Sequence, residues 1–169
     1  GDMLDLSAAS VTGGYFTFGA AALSNVEMLK LVGAAGINML ATSENLNAFT
    51  TIVGRGIAAA GSSSVTVNGA LTDLSALAFV DWSPNDTMSV QGTAGADLLT
   101  GSVLGDYLSG EDGIDELDGH DGDDVLDGGR EKDYLTGGGG ADTFTYAEIA
   151  DSANGSDRDV IRDFSSLEG

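Results

Sequence analysis

Six aspartates recur at nine-residue intervals, Asp97, Asp106, Asp115, Asp124, Asp133 and Asp142, each five residues after a glycine and two before a large apolar side chain. Carboxylates, together with backbone carbonyls that glycine leaves free to turn inward, are hard oxygen donors. Calcium takes roughly six to eight such ligands at about 2.3 to 2.6 Å, so neither one Asp nor one loop suffices and loops must pool their oxygens.

The elements that position these donors are six nonapeptides in unbroken register from Gly92 to Thr145: GTAGADLLT, GSVLGDYLS, GEDGIDELD, GHDGDDVLD, GGREKDYLT and GGGGADTFT. In each, the first six residues are glycine-rich and predict a tight loop. The last three predict a short strand whose central residue, Leu99, Leu108, Leu117, Leu126, Leu135 or Phe144, points inward. An acidic, glycine-rich linker is the competing reading, and it is the expected state without calcium, because like charges then repel with no cation between them. A linker has no need of an apolar residue at every ninth position.

This pattern resembles the repeats-in-toxin nonapeptide, G-G-x-G-x-D-x-U-x, a calcium-binding β-helix repeat. The resemblance implies a parallel β-roll in which two nonapeptides make one turn and loops eighteen residues apart stack and share an ion. One side would then stack the loops of Asp97, Asp115 and Asp133, and the other those of Asp106, Asp124 and Asp142. Loop ligands carried over with the aspartates are Gly92, Gly95, Gly110, Gly113, Gly119, Gly122, Gly137 and Gly139. Leu104 and Glu131 replace the fourth-place glycine, which makes ion sites in the 101 and 128 loops the weakest expectations. Asp157 and Asp163, with Asp159, are candidates for a further ion; surface pairing with Arg158 and Arg162 is their alternative.

Of 27 acidic and six basic residues, twenty and four fall from Gly92 onward, so the net charge of −21 is concentrated in the repeats. So few basic residues argue against a nucleic-acid partner. The absence of cysteine excludes disulfides and thiolate metal sites. No apolar run approaches the roughly 18 to 20 residues of a membrane span.

Residues 1–91 are rich in Ala, Ser, Thr and Val. Strands are expected at Tyr15 to Phe18, Met28 to Val32, Ile37 to Leu40, Phe49 to Val53, Val65 to Asn68, Phe79 to Trp82 and Met88 to Val90, with a helical turn at Ala20 to Leu23 as an option. The fold class expected is all-β: an N-terminal β-solenoid, with a β-sandwich as the alternative, followed by the calcium β-roll and an incomplete C-terminal cap. The divisions are 1–91, 92–145 and 146–169, with residues 1–7 as a candidate cap strand.

Residues 141–169 resemble the closing segment of repeats-in-toxin modules such as those of serralysin-type proteases, in which a DF pair is followed by a stretch like G-D-x-I-D-L-S. Asp163 and Phe164 supply the DF pair, and Gly1 to Ser7, GDMLDLS, resembles the stretch that follows it. Joining end to beginning restores the pattern. It suggests a repeating unit or head-to-tail association of copies; an upstream module with its own cap is the alternative.

His120, the single histidine, occupies the second place of a loop and lacks the partners of a nucleophile and base pair. Neither an H-E-x-x-H nor a G-x-S-x-G sequence occurs, so no enzymatic activity is expected. The expected role is a calcium-stabilised extracellular or cell-surface structural module of a fibre, surface layer or adhesin, exported, as the resemblance implies, by type I secretion. The alternatives are the folding and secretion tail of a larger secreted enzyme and a ligand-binding adhesin module, with a cell-surface polysaccharide as a candidate partner.

Overall fold

Short runs of β-branched and apolar residues separated by glycine and small polar residues cannot support long elements, and the chain forms strands of two to five residues. The computed structural model describes residues 2–5, 15–17, 26–30, 38–42, 50–53, 64–82, 86–147, 152, 155 and 158–164. The helical turn expected at Ala20 to Leu23, the candidate ligand Asp157, and Leu6 and Ser7 lie outside these residues.

In chain order the strands are β1 (Asp2–Asp5), β2 (Tyr15–Thr17), β3 (Val26–Lys30), β4 (Asn38–Thr42), β5 (Thr51–Val53), β6 (Ser64–Asn68), β7 (Leu71–Asp73), β8 (Ala78–Val80), β9 (Thr87–Gln91), β10 (Leu98–Thr100), β11 (Asp106–Ser109), β12 (Glu116–Asp118), β13 (Val125–Asp127), β14 (Tyr134–Thr136), β15 (Thr143–Thr145) and β16 (Val160–Ile161). There is no helix among the described residues. Two compact units form, 1–68 with 76–89, and 69–75 with 90–169, and β9 straddles their sequence boundary.

In the first unit, β1, β3, β5 and β8 pair in that order in one sheet, while β2, β4 and β6 pair in another. Every pairing described within these sheets is parallel. Strands adjacent in sequence thus fall in different sheets, as in a solenoid; a sandwich of the immunoglobulin kind would require antiparallel neighbours. In β6, Val65 and Val67 are buried while Ser64, Thr66 and Asn68 are half-exposed, the period-two alternation of a strand with one face inward. β1 pairs with β3 of its own chain from Asp2 opposite Val26 to Asp5 opposite Lys30, so the candidate cap strand lies in the first unit.

The second unit is a two-sided parallel roll. One sheet runs β7-β10-β12-β14-β16, and the other carries β11-β13-β15. Register is fixed at the eighth place: Leu99, Leu117 and Leu135 align on one side, Leu108, Leu126 and Phe144 on the other. The five leucines are fully buried. Each contributes about 1.5 to 3 kcal/mol through burial, and a one-residue slip would turn it out to solvent. The sheet extends past the repeats at both ends, with Thr72 of β7 opposite Leu99 and Ile161 of β16 opposite Leu135.

Leu117→Ala is expected to destabilise the calcium-loaded protein by about 2 to 5 kcal/mol. Leu98→Ala, on the exposed face of β10, should stay within about 0.5 kcal/mol of the parent. Urea unfolding followed by circular dichroism distinguishes the two.

Candidate metal centre

Each sixth-place Asp immediately precedes or opens a roll strand, so the sheet registers that align the leucines also align the carboxylates. The amide of Asp97 donates to Asp115 Oδ1 at 2.8 Å, and that of Asp115 to Asp133 Oδ1 at 2.8 Å. On the other side Asp106 donates to Asp124 at 2.8 Å, and Asp124 to Asp142 at 3.2 Å. Loops eighteen residues apart are therefore stacked, with the two sets of three aspartates that the resemblance implies. Asp97, Asp106, Asp115, Asp124 and Asp133 are buried; Asp142, on the last repeat, is half-buried.

The loops fall into two conformations. In the last four, the second place has positive φ, at Glu111 (77°), His120 (75°), Gly129 (90°) and Gly138 (98°), and so does the fourth, at Gly113, Gly122, Glu131 (80°) and Gly140. In the first two loops neither place does. There the Asp closes its own loop: Asp97 accepts the Thr93 amide and Asp106 the Ser102 amide through Oδ2. In the later loops that oxygen is released. Asp115, Asp124 and Asp133 each bury an Oδ2 with no hydrogen-bond partner.

A buried carboxylate oxygen left unpaired costs several kcal/mol unless something replaces its water. Glycine lets stacked loops approach closely enough that their backbone carbonyls lie against the neighbouring loop. A Cβ on Gly129 would lie 1.9 Å from the Glu111 carbonyl oxygen, one on Gly138 1.8 Å from that of His120, and one on Gly140 1.9 Å from that of Gly122. Among the described residues no three acidic or imidazole side chains converge. A cation here would be held by an Asp from each stacked loop and by backbone carbonyls, an all-oxygen set that suits calcium and not zinc.

Residues 104–135 and 121–147 match the family model of the RTX calcium-binding nonapeptide repeat, in four copies. The chain carries RTX calcium-binding repeats. No curated protein and no solved structure matches the chain. RTX repeats bind several calcium ions and are typical of secreted bacterial proteins.

Within the RTX roll, the free oxygens favour the 110/128 loop pair, with Asp115 and Asp133, and the 119/137 pair, with Asp124 and Asp142. In the 101 loop the Ser102 amide takes Asp106 Oδ2. In the 128 loop, Glu131 has positive φ at the fourth place, and Asp133 keeps its Oδ2 free. The glycine ligands divide in the same way. Gly110, Gly113, Gly119, Gly122, Gly137 and Gly139 belong to the open loops, and Gly92 and Gly95 to a closed one.

Beyond the repeats, Asp159 takes the next place on the ladder, accepting the Asp133 amide at 3.0 Å. Its 26-residue separation from Asp133 departs from the nine-residue period, which is why spacing alone does not assign it there. Asp163 accepts the amides of Gly137 and Gly138 through its two oxygens. It caps a loop end and pairs with no arginine in the described structure; Arg162 instead pairs with Glu116 and lies over the Tyr134 ring.

Burial drives the charge state of the free carboxyls. Removal from water pushes Asp115 and Asp124 up from 3.8 to about 7, a rise reinforced by neighbouring carboxylates and opposed by the ladder amides. Burial likewise raises Asp133 and Asp106 to about 6, with the Ser102 hydrogen bonds and His120 opposing the rise at Asp106. The folded metal-free roll thus binds protons more tightly than the unfolded chain. This stabilisation is fully present below about pH 4 and is lost as pH rises through 6 to 7.

In chelator, the melting temperature should therefore fall between pH 5 and 7.5, and calcium binding near pH 6.5 should release protons detectable by calorimetry in buffers of different ionisation enthalpy. Stability in chelator that rises over this range would contradict the assignment. Gly129→Ala should raise the calcium concentration at the folding midpoint by about tenfold or more, since its Cβ would strike the Glu111 carbonyl in a left-handed conformation. Gly95→Ala, whose Cβ meets nothing within 4 Å, should leave the midpoint unchanged.

Proposed function

We propose that the chain is an extracellular structural module whose roll is completed by calcium after export, and that copies of it join head to tail in a fibre, surface layer or large adhesin. Calcium supplies the folding free energy. In the cytosol, with little free calcium, the acidic ladders remain unfolded and suited to type I secretion; outside, calcium is abundant enough for sites of about 10⁻⁴ to 10⁻³ M affinity. The role is structural rather than catalytic, since the buried carboxylates of the roll are committed to the ladders and His120 to a loop turn.

The observation that carries the head-to-tail reading is that, among the described residues, no strand covers the end of the roll beyond β15. Phe144 is only half-buried where the leucines at the same place are fully buried, and Phe164 is 73% exposed beside it. An apolar edge of this kind favours a further strand. A heterologous contact between the two ends of successive copies need not close, and so yields a linear assembly.

Sedimentation velocity, titrated from chelator into millimolar calcium, tests the proposal. The expected series is an expanded monomer, then compaction, then growth into large particles that chelator reverses. Compaction to a stable monomer would instead favour the folding tail of a larger enzyme or a ligand-binding adhesin module. No response to calcium would overturn the proposal altogether.

A further inference from the structure

The two carboxylate ladders of the roll end differently. One continues past the repeats, because Asp159 receives the Asp133 amide and Val160 and Ile161 pair with Tyr134 and Leu135. The other stops at Asp142. Among the described residues no carboxylate receives the Asp142 amide, and β15 is the end strand of its sheet. A cavity of about 170 Å³ opens at this edge, lined by Gly138, Gly140, Asp142, Phe144, Asp163 and Phe164. The absent rung has a definite description: a parallel strand with an Asp level with Asp142 and an apolar residue level with Phe144.

β1 has that sequence. Asp2-Met3-Leu4-Asp5 has the same D-x-L-D form as Asp115-Glu116-Leu117-Asp118 and Asp124-Val125-Leu126-Asp127, the two repeats at the middle of the roll. It is already extended, pairs in parallel with β3 on one side and ends its sheet on the other. Asp2 is exposed.

We propose that β1 of a second copy of this chain adds to β15 in parallel, with Asp2 level with Asp142, Met3 with Thr143, Leu4 with Phe144 and Asp5 with Thr145. The Asp2 carboxylate then accepts the Asp142 amide, as Asp142 accepts that of Asp124, and the eighth-place apolar column gains a leucine above Phe144. β2 of the arriving copy, which also ends its sheet, is the matching element for the free edge of β16. The joint depends on calcium because the 137 loop, which carries Asp142, belongs to one of the two favoured ion pairs. This register rests on the head-to-tail reading above and adds to it the residues that meet.

The chain has no cysteine, so engineered thiols report without background. Met3→Cys protein mixed with Thr143→Cys protein in millimolar calcium should give a disulfide-linked dimer under mild oxidation, and none in chelator. Asp5→Cys mixed with Thr143→Cys should not, because a two-residue offset separates the Cα atoms beyond the roughly 7 Å a disulfide spans. Sedimentation of the parent chain runs alongside. If the parent assembles in calcium but the Met3/Thr143 pair fails to cross-link, or the offset pair cross-links instead, the register is overturned and the head-to-tail reading stands. If the parent compacts in calcium without assembling, both fall while the calcium roll remains.

Discussion

Burial of like charges governs this molecule. The roll cannot align its leucines without also aligning its aspartates, because both are carried on the same nine-residue period and set by the same parallel registers. Five carboxylates are thereby taken out of water in two columns, and three keep an oxygen that no donor among the described residues satisfies. Without a cation, the leucine columns must offset that desolvation and repulsion alone. With protons or calcium between the loops, the same columns hold the roll together.

Backbone conformation decides which loops leave a carboxylate oxygen free. A second place with positive φ turns the loop so that its amide no longer reaches the Asp; at Thr93 and Ser102, where φ is not positive, that amide takes the oxygen. Glu111, His120 and Glu131 adopt the left-handed conformation without being glycine. Such residues lose roughly 1 to 2 kcal/mol there. Amides of the neighbouring loops tie two of them down, Arg130 donating to the Glu111 carbonyl and Gly139 to that of His120.

Much of this was legible in the sequence. The strict period predicted strands β10 to β15 and their inward residues, and the resemblance to the repeats-in-toxin nonapeptide implied the division of the aspartates into two columns. What periodicity missed lies where the period stops. β7 contributes Thr72 to the core position opposite Leu99, while Leu71 beside it is 63% exposed, so the hydrophobic signal in that strand points the wrong way. Asp159 joins the ladder after an interval that no repeat count anticipates. Pattern alone makes the 128 loop a weaker expectation for want of a fourth-place glycine, and it does not anticipate the positive φ that Glu131 adopts there. In the N-terminal unit the apolar clusters located most strands to within a few residues, but only the observed parallel pairing separates a solenoid from a sandwich.

The most direct test of the central claim is an anomalous difference map from crystals grown in millimolar calcium. The account predicts peaks between the stacked 110 and 128 loops and between the 119 and 137 loops, within coordination distance of Oδ2 of Asp115, Asp124 and Asp133. Peaks confined to the outer carboxylates such as Asp112 and Asp121, with those three oxygens still uncoordinated, would contradict it.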